Sequence, residues 1–371
     1  MIRDSVLQRV LIQENMKSQL YLDQWTVARF LLIILSLKGS LPVHAQVQSC
    51  DFLAALIAEN ETQIIEGDES IYSCVNDLYF RSTNKTLRSR STGLSLHSNN
   101  SSMYVSATGI VISDLNLTGG WVVDMAANSS LLLRSLSADS LLVRMGEGAS
   151  LTVEDSLFSR PDTAPFAPAA LAVEGGPAAL AVRGTRLADG LPGALLSVAG
   201  DGNALLLDRV LLQSAQPRPP GAHLDAGTDR VPAVCLAVSG AGVRADVRRA
   251  RFRWCGAGGI ARDGSGGTLL LADSDFFGGH AGGGGGLRVA GPRQRAAVAR
   301  TAFRGHWADE LGGAALLEGD DGTLEFDRCV VAGNQGDPPP PPLTPTHPPT
   351  PTATHPPAAR PSARPPQHPC R

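Results

Sequence analysis

The sequence predicts an all-β solenoid of about nine or ten short coils, with a short helical cap on its N-terminal side and a disordered proline-rich tail. Two observations predict this fold class. The 371 residues include 40 glycines but only 5% aromatic residues, a composition typical of many short strands and tight turns. In addition, one pattern of inward-facing residues recurs at fixed offsets along most of the chain. The formal net charge of −3 argues against a nucleic-acid partner.

Residues 1–45 are predicted to be a signal peptide, with an uncleaved signal anchor as the alternative. Arg29 precedes a short apolar run, and Val43 and Ala45 occupy the positions where a signal peptidase requires small residues. The run is shorter than the ~20 residues that span a bilayer, so no transmembrane helix is expected in the mature chain. Six glycosylation sequons follow and favour secretion or display at the cell surface: Asn60, Asn84, Asn99, Asn100, Asn116 and Asn128.

Residues 46–89 are predicted to form an N-terminal cap. Leu53, Leu56 and Ile57 have helical spacing, and Asp51 is placed to cap the start of that helix. A cap is expected because bare strand edges recruit other chains. Cys50 and Cys74 are predicted to form a disulfide within it in an oxidising compartment.

Residues 90–336 carry the repeat. The repeat is easiest to see around Cys329, which we take as position 0, or the anchor, of the last coil. Positions −5, −3, 0 and +2 of that coil are Leu324, Phe326, Cys329 and Val331. The same four positions are apolar residues, Ser or Thr in eight earlier coils, whose anchors are residues 115, 136, 156, 185, 210, 250, 274 and 301. Alternation by two predicts strands, and the two skipped residues predict a corner between them. A third strand is predicted around position −14. In two coils its predicted inward residues are Val122 and Leu142. Two positions later, at −12, a second inward residue is expected, but Asp124, Arg144 and Arg262 occupy that position in three coils.

The last coil also carries Gly312-Gly313-Ala314 and, at its end, Asn334. This pattern resembles the right-handed parallel β-helix of the pectin-lyase-like superfamily. More specifically, it is similar to the Gly-Gly-Ala and Phe-x-x-Asn repeats of polymorphic outer-membrane and adhesin-type proteins, with Val331 in place of the Phe. The resemblance covers about residues 90–336 and implies a functional side framed by loops. The catalytic motifs of polygalacturonases and pectate lyases are not found.

The length of each coil varies only between its last strand and the next coil, so these connections should stack at one corner. Candidate ligand-binding residues gather there: His223, Arg230, Trp254 (next to Arg253), His280, His306 and Trp307. Asp225, Asp309 and Glu310 are weaker catalytic candidates. Exposed Trp beside acids suits sugar binding or glycoside cleavage. The alternative is that these are ordinary polar loop residues, with the two Trp covering coil edges.

Two further predictions follow from the coil length. Cys235 and Cys255 lie one circuit apart and should form a disulfide. Charged residues beside each anchor, such as Asp273 and Arg300, should form ion pairs between coils. No cofactor and no metal site are predicted, because no Cys and His residues have zinc-binding spacing.

From residue 337 to 371 the chain is proline-rich and is predicted to be a disordered spacer. Together these features predict a secreted or cell-surface β-helix with a structural, adhesive or glycan-binding role, and with a polysaccharide, glycan or extracellular-matrix surface as partner. The alternative is a polysaccharide lyase or glycoside hydrolase of the pectin-lyase-like superfamily. The sequence favours a protein without catalytic activity and does not predict an oligomeric state.

Overall fold

A computed structural model describes residues 47–58, 64–67, 71–89, 94–160, 169–189, 194–214, 234–336 and 368–369. The chain divides into two units. The first, Met1–His44, contains most of the predicted signal segment and lies outside the described residues. The described residues of the second, Ala45–Arg371, form an all-β parallel solenoid of about nine turns with one short helix. Within the described residues, no helix is long and apolar enough to cross a membrane.

Each coil contributes one strand to each of three long sheets, in the chain order sheet 1, sheet 2, sheet 3. Sheet 1 has ten strands: Leu78–Phe80, Ser102–Val105, Trp121–Met125, Leu141–Met145, Ala169–Gly175, Ala194–Ala199, Val234–Ser239, Ile260–Asp263, Leu287–Ala290 and Ala315–Glu318. Sheet 2 has eleven: Ile64–Gly67, Thr86–Ser89, Ile110–Ser113, Ser130–Arg134, Ser150–Glu154, Ala179–Arg183, Ala204–Asp208, Arg244–Arg248, Thr268–Ala272, Arg295–Ala299 and Thr323–Asp327.

Sheet 3 has thirteen strands: Val47–Ser49, Ile71–Cys74, Ser95–Ser98, Asn116–Thr118, Ser137–Ala138, Leu157–Arg160, Arg186–Asp189, Leu211–Ser214, Arg251–Arg253, Asp275–Phe277, Ala302–Arg304, Val330–Ala332 and His368–Pro369. A fourth, three-stranded sheet, the corner sheet, contains His280–Gly283, Trp307–Leu311 and Gln335–Gly336. Neighbouring strands pair in parallel, as in sheet 3 and the corner sheet, except that His368–Pro369 runs antiparallel to Val330–Ala332. The parallel β-helix predicted from the repeat is therefore confirmed.

The corner between sheets 2 and 3 is made by the residue just before each anchor, which adopts a left-handed backbone conformation. Asp155, Arg209, Arg249 and Arg300 are examples, with φ between 47° and 56°. This conformation turns the chain without a loop, which explains why the template skips only two positions there. The side chains at these corners point outwards and pair as predicted. Arg300 Nε lies 2.6 Å from an oxygen of Asp273.

The predicted inward positions form one continuous core. Positions −5, −3, 0 and +2 are buried in every coil except the last, where Leu324, Phe326 and Val331 are half-buried. Phe252 and Phe276 stack with ring centroids 4.2 Å apart. The next coil's Phe303 stacks on Phe276 at 4.7 Å. Because equivalent side chains lie one rung apart, each coil buries the face of the previous one.

Polar anchors are tolerated in this core because their hydroxyl groups bond to the backbone. Ser274 is 4% exposed. Its Oγ donates to Ala272 O at 2.8 Å and accepts the N–H of Ala250, in the preceding coil, at 3.2 Å. A Ser or Thr at an anchor position therefore links adjacent coils, which is why these small polar residues fit the template.

The register predicted for sheet 1 is wrong in two coils. Trp121, Val123 and Met125 face inwards there, while Val122 is half-buried on the outside. Leu142 faces outwards in the same way, and Asp124 and Arg144 form an ion pair on the outer surface at 3.5 Å.

The cause is one extra residue in the turn between sheets 1 and 2. In one coil the paired inward residues Leu141 of sheet 1 and Leu151 of sheet 2 are ten positions apart. Their partners in the next coil, Leu171 and Leu180, are only nine positions apart. A one-residue shift in a strand exchanges its inner and outer faces. The third interruption, Arg262, has a different explanation, because it lies in register between two inward-facing valines and is buried. Its Nη2 donates to Val243 O at 3.1 Å.

The N-terminal cap contains the predicted helix, Asp51–Ala58. Leu53 and Ile57 are buried, and the Ser49 hydroxyl oxygen accepts the N–H of Asp51, the first residue of the helix, at 3.2 Å. Cys50 and Cys74 form a disulfide with Cα atoms 4.8 Å apart, and Cys235 and Cys255 form another at 5.3 Å. Both cysteine pairs predicted from the sequence are confirmed.

The predicted boundary between the cap and the β-helix at residue 90 does not mark a change of structure. Thr86–Ser89, inside the predicted cap, pairs in parallel with Ile110–Ser113 of the first full template coil. Ile71–Cys74 pairs in the same way with Ser95–Ser98. The solenoid therefore begins before residue 90, and the helix is the part of the cap that departs from it.

Of the predicted glycosylation sites, those with described side chains reach the surface to different extents. Asn116 is half-buried, and Asn60 lies outside the described residues. The exposed sites are Asn84, Asn99, Asn100 and Asn128.

Candidate functional site

The variable corner, where sheet 3 of one coil connects to sheet 1 of the next, is described over residues 254–259, 278–286 and 305–314. Longer connections at the same corner, including 161–168 and 215–233, lie outside the described residues. The corner sheet forms here because three consecutive connections run parallel, with His280 opposite Trp307 and Trp307 opposite Gln335. The position predicted for a functional site therefore has paired strands, with one register shift between Ala281 and Gly283.

The residues five positions after the last two anchors, His306 and Asn334, link these connections. Asn334 Oδ1 accepts the backbone N–H of His306 at 2.9 Å, and its Nδ2 donates to Phe303 O at 2.9 Å. One coil earlier, His306 Nδ1 accepts the N–H of Gly279 at 2.9 Å. A side-chain acceptor thus holds the backbone of the preceding coil in both cases, which explains the Asn at the end of the last coil.

His306 is not available to a ligand. Its side chain is 2% exposed, and its ring centroid lies 6.4 Å from that of Phe276 and 6.3 Å from that of Phe303. Burial lowers the pKa of His306 to about 4, although the nearby backbone of Phe276 and Gly285 and the charge of Asp275 oppose the shift. The prediction that His306 binds a ligand is therefore corrected, because its imidazole is neutral and bonds to the backbone.

Trp254 lies at the edge of the variable corner and is half-buried. It has a left-handed backbone (φ 57°), and its N–H donates to Phe277 O at 2.9 Å. The indole meets the Phe277 ring edge-on, with centroids 4.8 Å apart and an interplanar angle of 76°. A Cβ atom on Gly278 would lie only 2.4 Å from the indole, so the ring covers a position that must be glycine.

Phe277 is the centre of an exposed row on sheet 3. It pairs in register with Arg253 on the preceding coil and with Arg304 on the following one, and all three side chains are exposed. Adjacent rungs lie about 4.8 Å apart, so the two arginines are the rung neighbours of Phe277 on either side. Trp307, on the corner sheet, is 42% exposed. We define Arg253, Trp254, Phe277, Arg304 and Trp307 as the aromatic–arginine ridge.

The arginines of the ridge differ from those at the corner between sheets 2 and 3. Arg249 lies 2.6 Å from Asp208, and Arg300 pairs with Asp273. Within the described part of the chain, neither Arg253 nor Arg304 forms an ion pair. The ridge therefore combines exposed apolar rings with positive charge that the described residues do not neutralise.

The remaining predicted site residues divide into two groups. His223, Asp225 and Arg230 lie outside the described residues. His280, Asp309 and Glu310 belong to described strands of the corner sheet, but their side chains are not described. Sequence reasoning missed Phe277 and Arg304. Phe277 could have been found from the sequence, because it follows Phe276 directly. Phe276 occupies an inward position of the template, and the next residue of a strand faces outwards.

Comparisons with known proteins give only distant likenesses. No protein-family profile and no curated protein matches the chain. Among solved structures, the chain is similar to the Dettilon tailspike protein gp208, with 7% identity and a TM-score of 0.43 over 78% of this chain and 60% of that one. It is also similar to PfbA, a surface adhesin of Streptococcus pneumoniae, with 8% identity and a TM-score of 0.35 over 78% and 91%. ORF18 of Geobacillus virus E2 matches with 10% identity and a TM-score of 0.32 over 74% and 53%. The chain thus spans about 60% of the length of the tailspike protein that it resembles.

Proposed function

We propose that this protein is a secreted or cell-surface β-helix that binds an acidic glycan along the aromatic–arginine ridge without cleaving it. The observation that carries the proposal is the exposed Phe277 ring flanked in register by Arg253 and Arg304. Exposed clusters of this kind are uncommon on monomeric proteins unless they bind something.

The chemistry of the ridge suits a sugar that carries carboxylate or sulfate groups. Aromatic rings offer flat apolar faces for the C–H surface of a sugar ring. Guanidinium groups bind carboxylates and related oxyanions with two parallel hydrogen bonds, which an ammonium group does not do as well. Arg253, Phe277 and Arg304, one on each of three consecutive rungs, therefore fit a linear polymer that presents anionic groups and rings in turn.

Two features support an extracellular setting. The disulfides Cys50–Cys74 and Cys235–Cys255 persist in oxidising compartments rather than in the cytosol. The sequons Asn84, Asn99 and Asn128 are exposed and so are open to glycosylation. Since no such site lies on the ridge, attached glycans would leave it open to a ligand.

The ridge supports binding more than catalysis. None of its five side chains has a carboxylate or hydroxyl group that transfers a proton, whereas glycoside hydrolysis needs two carboxylates. His306, which precedes the ridge residue Trp307, is buried and neutral. The positive charge of the two arginines also favours an anionic ligand over a neutral one.

Calorimetric titration of the full chain with polygalacturonate, dextran sulfate and neutral dextran tests the proposal. We expect binding to one or both anionic polymers, weakened by salt because the contacts are exposed. Arg253→Ala should reduce affinity about tenfold, since a hydrogen bond to a charged group contributes about 1.5–3 kcal/mol and a factor of ten is about 1.4 kcal/mol. Phe277→Ala should weaken binding similarly. Arg295→Ala, an exposed arginine on sheet 2, is the matched control and should bind normally.

Two results would contradict the proposal. Equal affinity of the Arg253→Ala, Phe277→Ala and Arg295→Ala variants would show that the ridge is not the binding site. Release of reducing ends or unsaturated products that is abolished by Asp309→Asn or Glu310→Gln would instead establish the lyase or hydrolase alternative.

A further inference from the structure

Arg262 is a charged side chain inside the core of the solenoid. It lies in register between Val238 and Val289 and is 0% exposed. The next residue, Asp263, faces outwards and pairs with Arg288 at 3.5 Å, and Arg262 itself forms no ion pair within the described residues. Burial lowers the pKa of Arg262, and the charge of Asp263 opposes that shift without cancelling it. Because a guanidinium stays protonated in proteins, a full positive charge is buried here.

This side chain fills space that a glycine leaves free. Gly267 lies seven residues before its anchor, Ser274, and a Cβ added to it would overlap Arg262 Nη2. The guanidinium therefore occupies the place of a side chain at that position. In the last coil the equivalent residues are Leu317 and Gly322, and Leu317 Cδ1 lies 3.1 Å from an added Cβ. A leucine thus fills the same space, so packing alone does not require an arginine.

The N–H groups of Arg262 are only partly bonded. Nη2 donates to Val243 O at 3.1 Å, but Nε and Nη1 have no hydrogen-bond partner in the described part of the chain. The same holds for Nε2 of Gln294, which is 1% exposed. These are three of the five buried side-chain nitrogen and oxygen atoms without a partner among the described residues, and all three are donors. Asn203, at the position equivalent to Gln294 in an earlier coil, instead donates to Gly175 O at 2.7 Å.

Gln294 lies one rung beyond the glycine that Arg262 covers. Gly267 O accepts the N–H of Arg295, the residue after Gln294, at 3.0 Å. Neighbouring rungs are about 4.8 Å apart. A single acceptor can bond to two donors that lie within about 6 Å of each other, which is twice the usual hydrogen-bond length. The guanidinium and the amide are therefore placed to share one acceptor.

We propose that Arg262 and Gln294 hold a monovalent anion of the halide class, such as chloride, inside the solenoid. A halide ion only accepts hydrogen bonds, and the partnerless atoms of these two side chains only donate them. The anion also neutralises the buried charge, which a water molecule does not do, and an unpaired buried charge is far more costly than a buried polar group. Because both side chains are buried, the anion binds the folded chain and raises its stability.

Anomalous diffraction from crystals of the full chain grown in sodium bromide locates the anion directly. We expect a bromide peak between the Arg262 guanidinium and the Gln294 amide, within hydrogen-bond distance of both. Water density alone at that place would overturn the proposal, because the charge would then be buried without a counter-ion. Bromide peaks at exposed arginines alone would mark adventitious binding and would overturn it as well.

Urea unfolding at constant ionic strength tests the site in solution, with sodium chloride replacing sodium gluconate, a six-carbon anion. The midpoint of the native chain should rise with chloride. Arg262→Leu copies the packing of Leu317, and its midpoint should not respond to chloride. Gln294→Val carries the residue found at the same position as Val243, and it should need about ten times more chloride for the same rise, since it loses one hydrogen bond to a charged group. No response in the native chain, or an equal response in Arg262→Leu, would refute the site.

Arg253→Ala is the matched control for the loss of an arginine. It removes an exposed side chain of the aromatic–arginine ridge, so it should keep the chloride response of the native chain and lose affinity for the anionic polymer. Arg262→Leu should do the reverse. Loss of the chloride response in Arg253→Ala would show that the ion binds on the ridge and would refute the internal site. The two sites are therefore tested independently.

Discussion

His306 gives the corner of this β-helix a pH dependence whose size follows from the structure. Its imidazole is neutral in the fold because burial lowers its pKa from 6.5 to about 4. Protonation would also place a hydrogen on Nδ1, which accepts the Gly279 N–H. In the unfolded chain the ring takes up a proton below about pH 6.5. The stability that His306 contributes is therefore present above that pH and is lost as the pH falls towards 4.

The expected magnitude is about 2 kcal/mol between pH 7 and pH 5, from proton linkage with these two pKa values. The perturbation is His306→Asn, because Asn334 makes the equivalent bond one coil later with a side chain that does not titrate. Urea unfolding of the wild type and the variant at pH 7 and pH 5 gives four free energies. The difference of differences isolates His306 from other groups that titrate in this range.

We expect the wild type to lose about 2 kcal/mol more than His306→Asn on acidification. The variant should also be more stable at pH 5 relative to wild type than it is at pH 7. If both proteins lose the same free energy, the ring is not held neutral by burial, and its assignment as a structural residue fails. Its role as a ligand-binding residue would then be open again.

Two further predictions concern the ridge and its support. Gly278→Ala should lower the free energy of unfolding by about 2–4 kcal/mol and displace the Trp254 indole, seen as a shift in tryptophan fluorescence, because a left-handed alanine is strained and its Cβ overlaps the ring. Gly305→Ala, where the Cβ meets nothing, should cost only the backbone strain of about 1–2 kcal/mol, and equal losses in both variants would refute the overlap. Replacing both Cys235 and Cys255 with Ala should lower stability to urea by about 3 kcal/mol for a loop of this length, whereas an unchanged midpoint would show that the bridge does not constrain the unfolded chain.

The core was predictable because burial requires apolar or small residues at every second position of a strand, and this alternation is visible in the sequence. Ser274 and Thr301 fitted the template as small residues, and their backbone bonds explain why they are tolerated. The register of sheet 1 around Val122 was not predictable in the same way. Valine and leucine occupy both faces of that strand, so the pattern does not show which set is inside, and one extra turn residue decides it.

The candidate site was predictable in position but not in accessibility. The number of residues between strands varies mainly at one corner, so the longer connections must project there. Trp254 and Trp307 lie at that corner as expected. Whether a corner side chain faces solvent depends on the coil next to it. Gly279 leaves room for His306 to turn inwards, since a Cβ at Gly279 would lie 2.7 Å from His306 Nδ1. That contact joins residues 27 positions apart, and no local pattern reports it.

The solenoid also explains why a ligand site on it would be a row rather than a pocket. Arg253, Phe277 and Arg304 are separated by 24 and 27 residues in sequence, yet parallel pairing puts them on consecutive rungs. Each coil contributes one side chain at a nearly constant interval of about 4.8 Å, so the surface repeats along the axis as a linear polymer does. A substitution at one rung then changes one contact and leaves the fold intact, because the outward positions carry none of the core. The specificity of the proposed site would thus be set by outward residues alone, and those residues can change while the inward template holds the coils together.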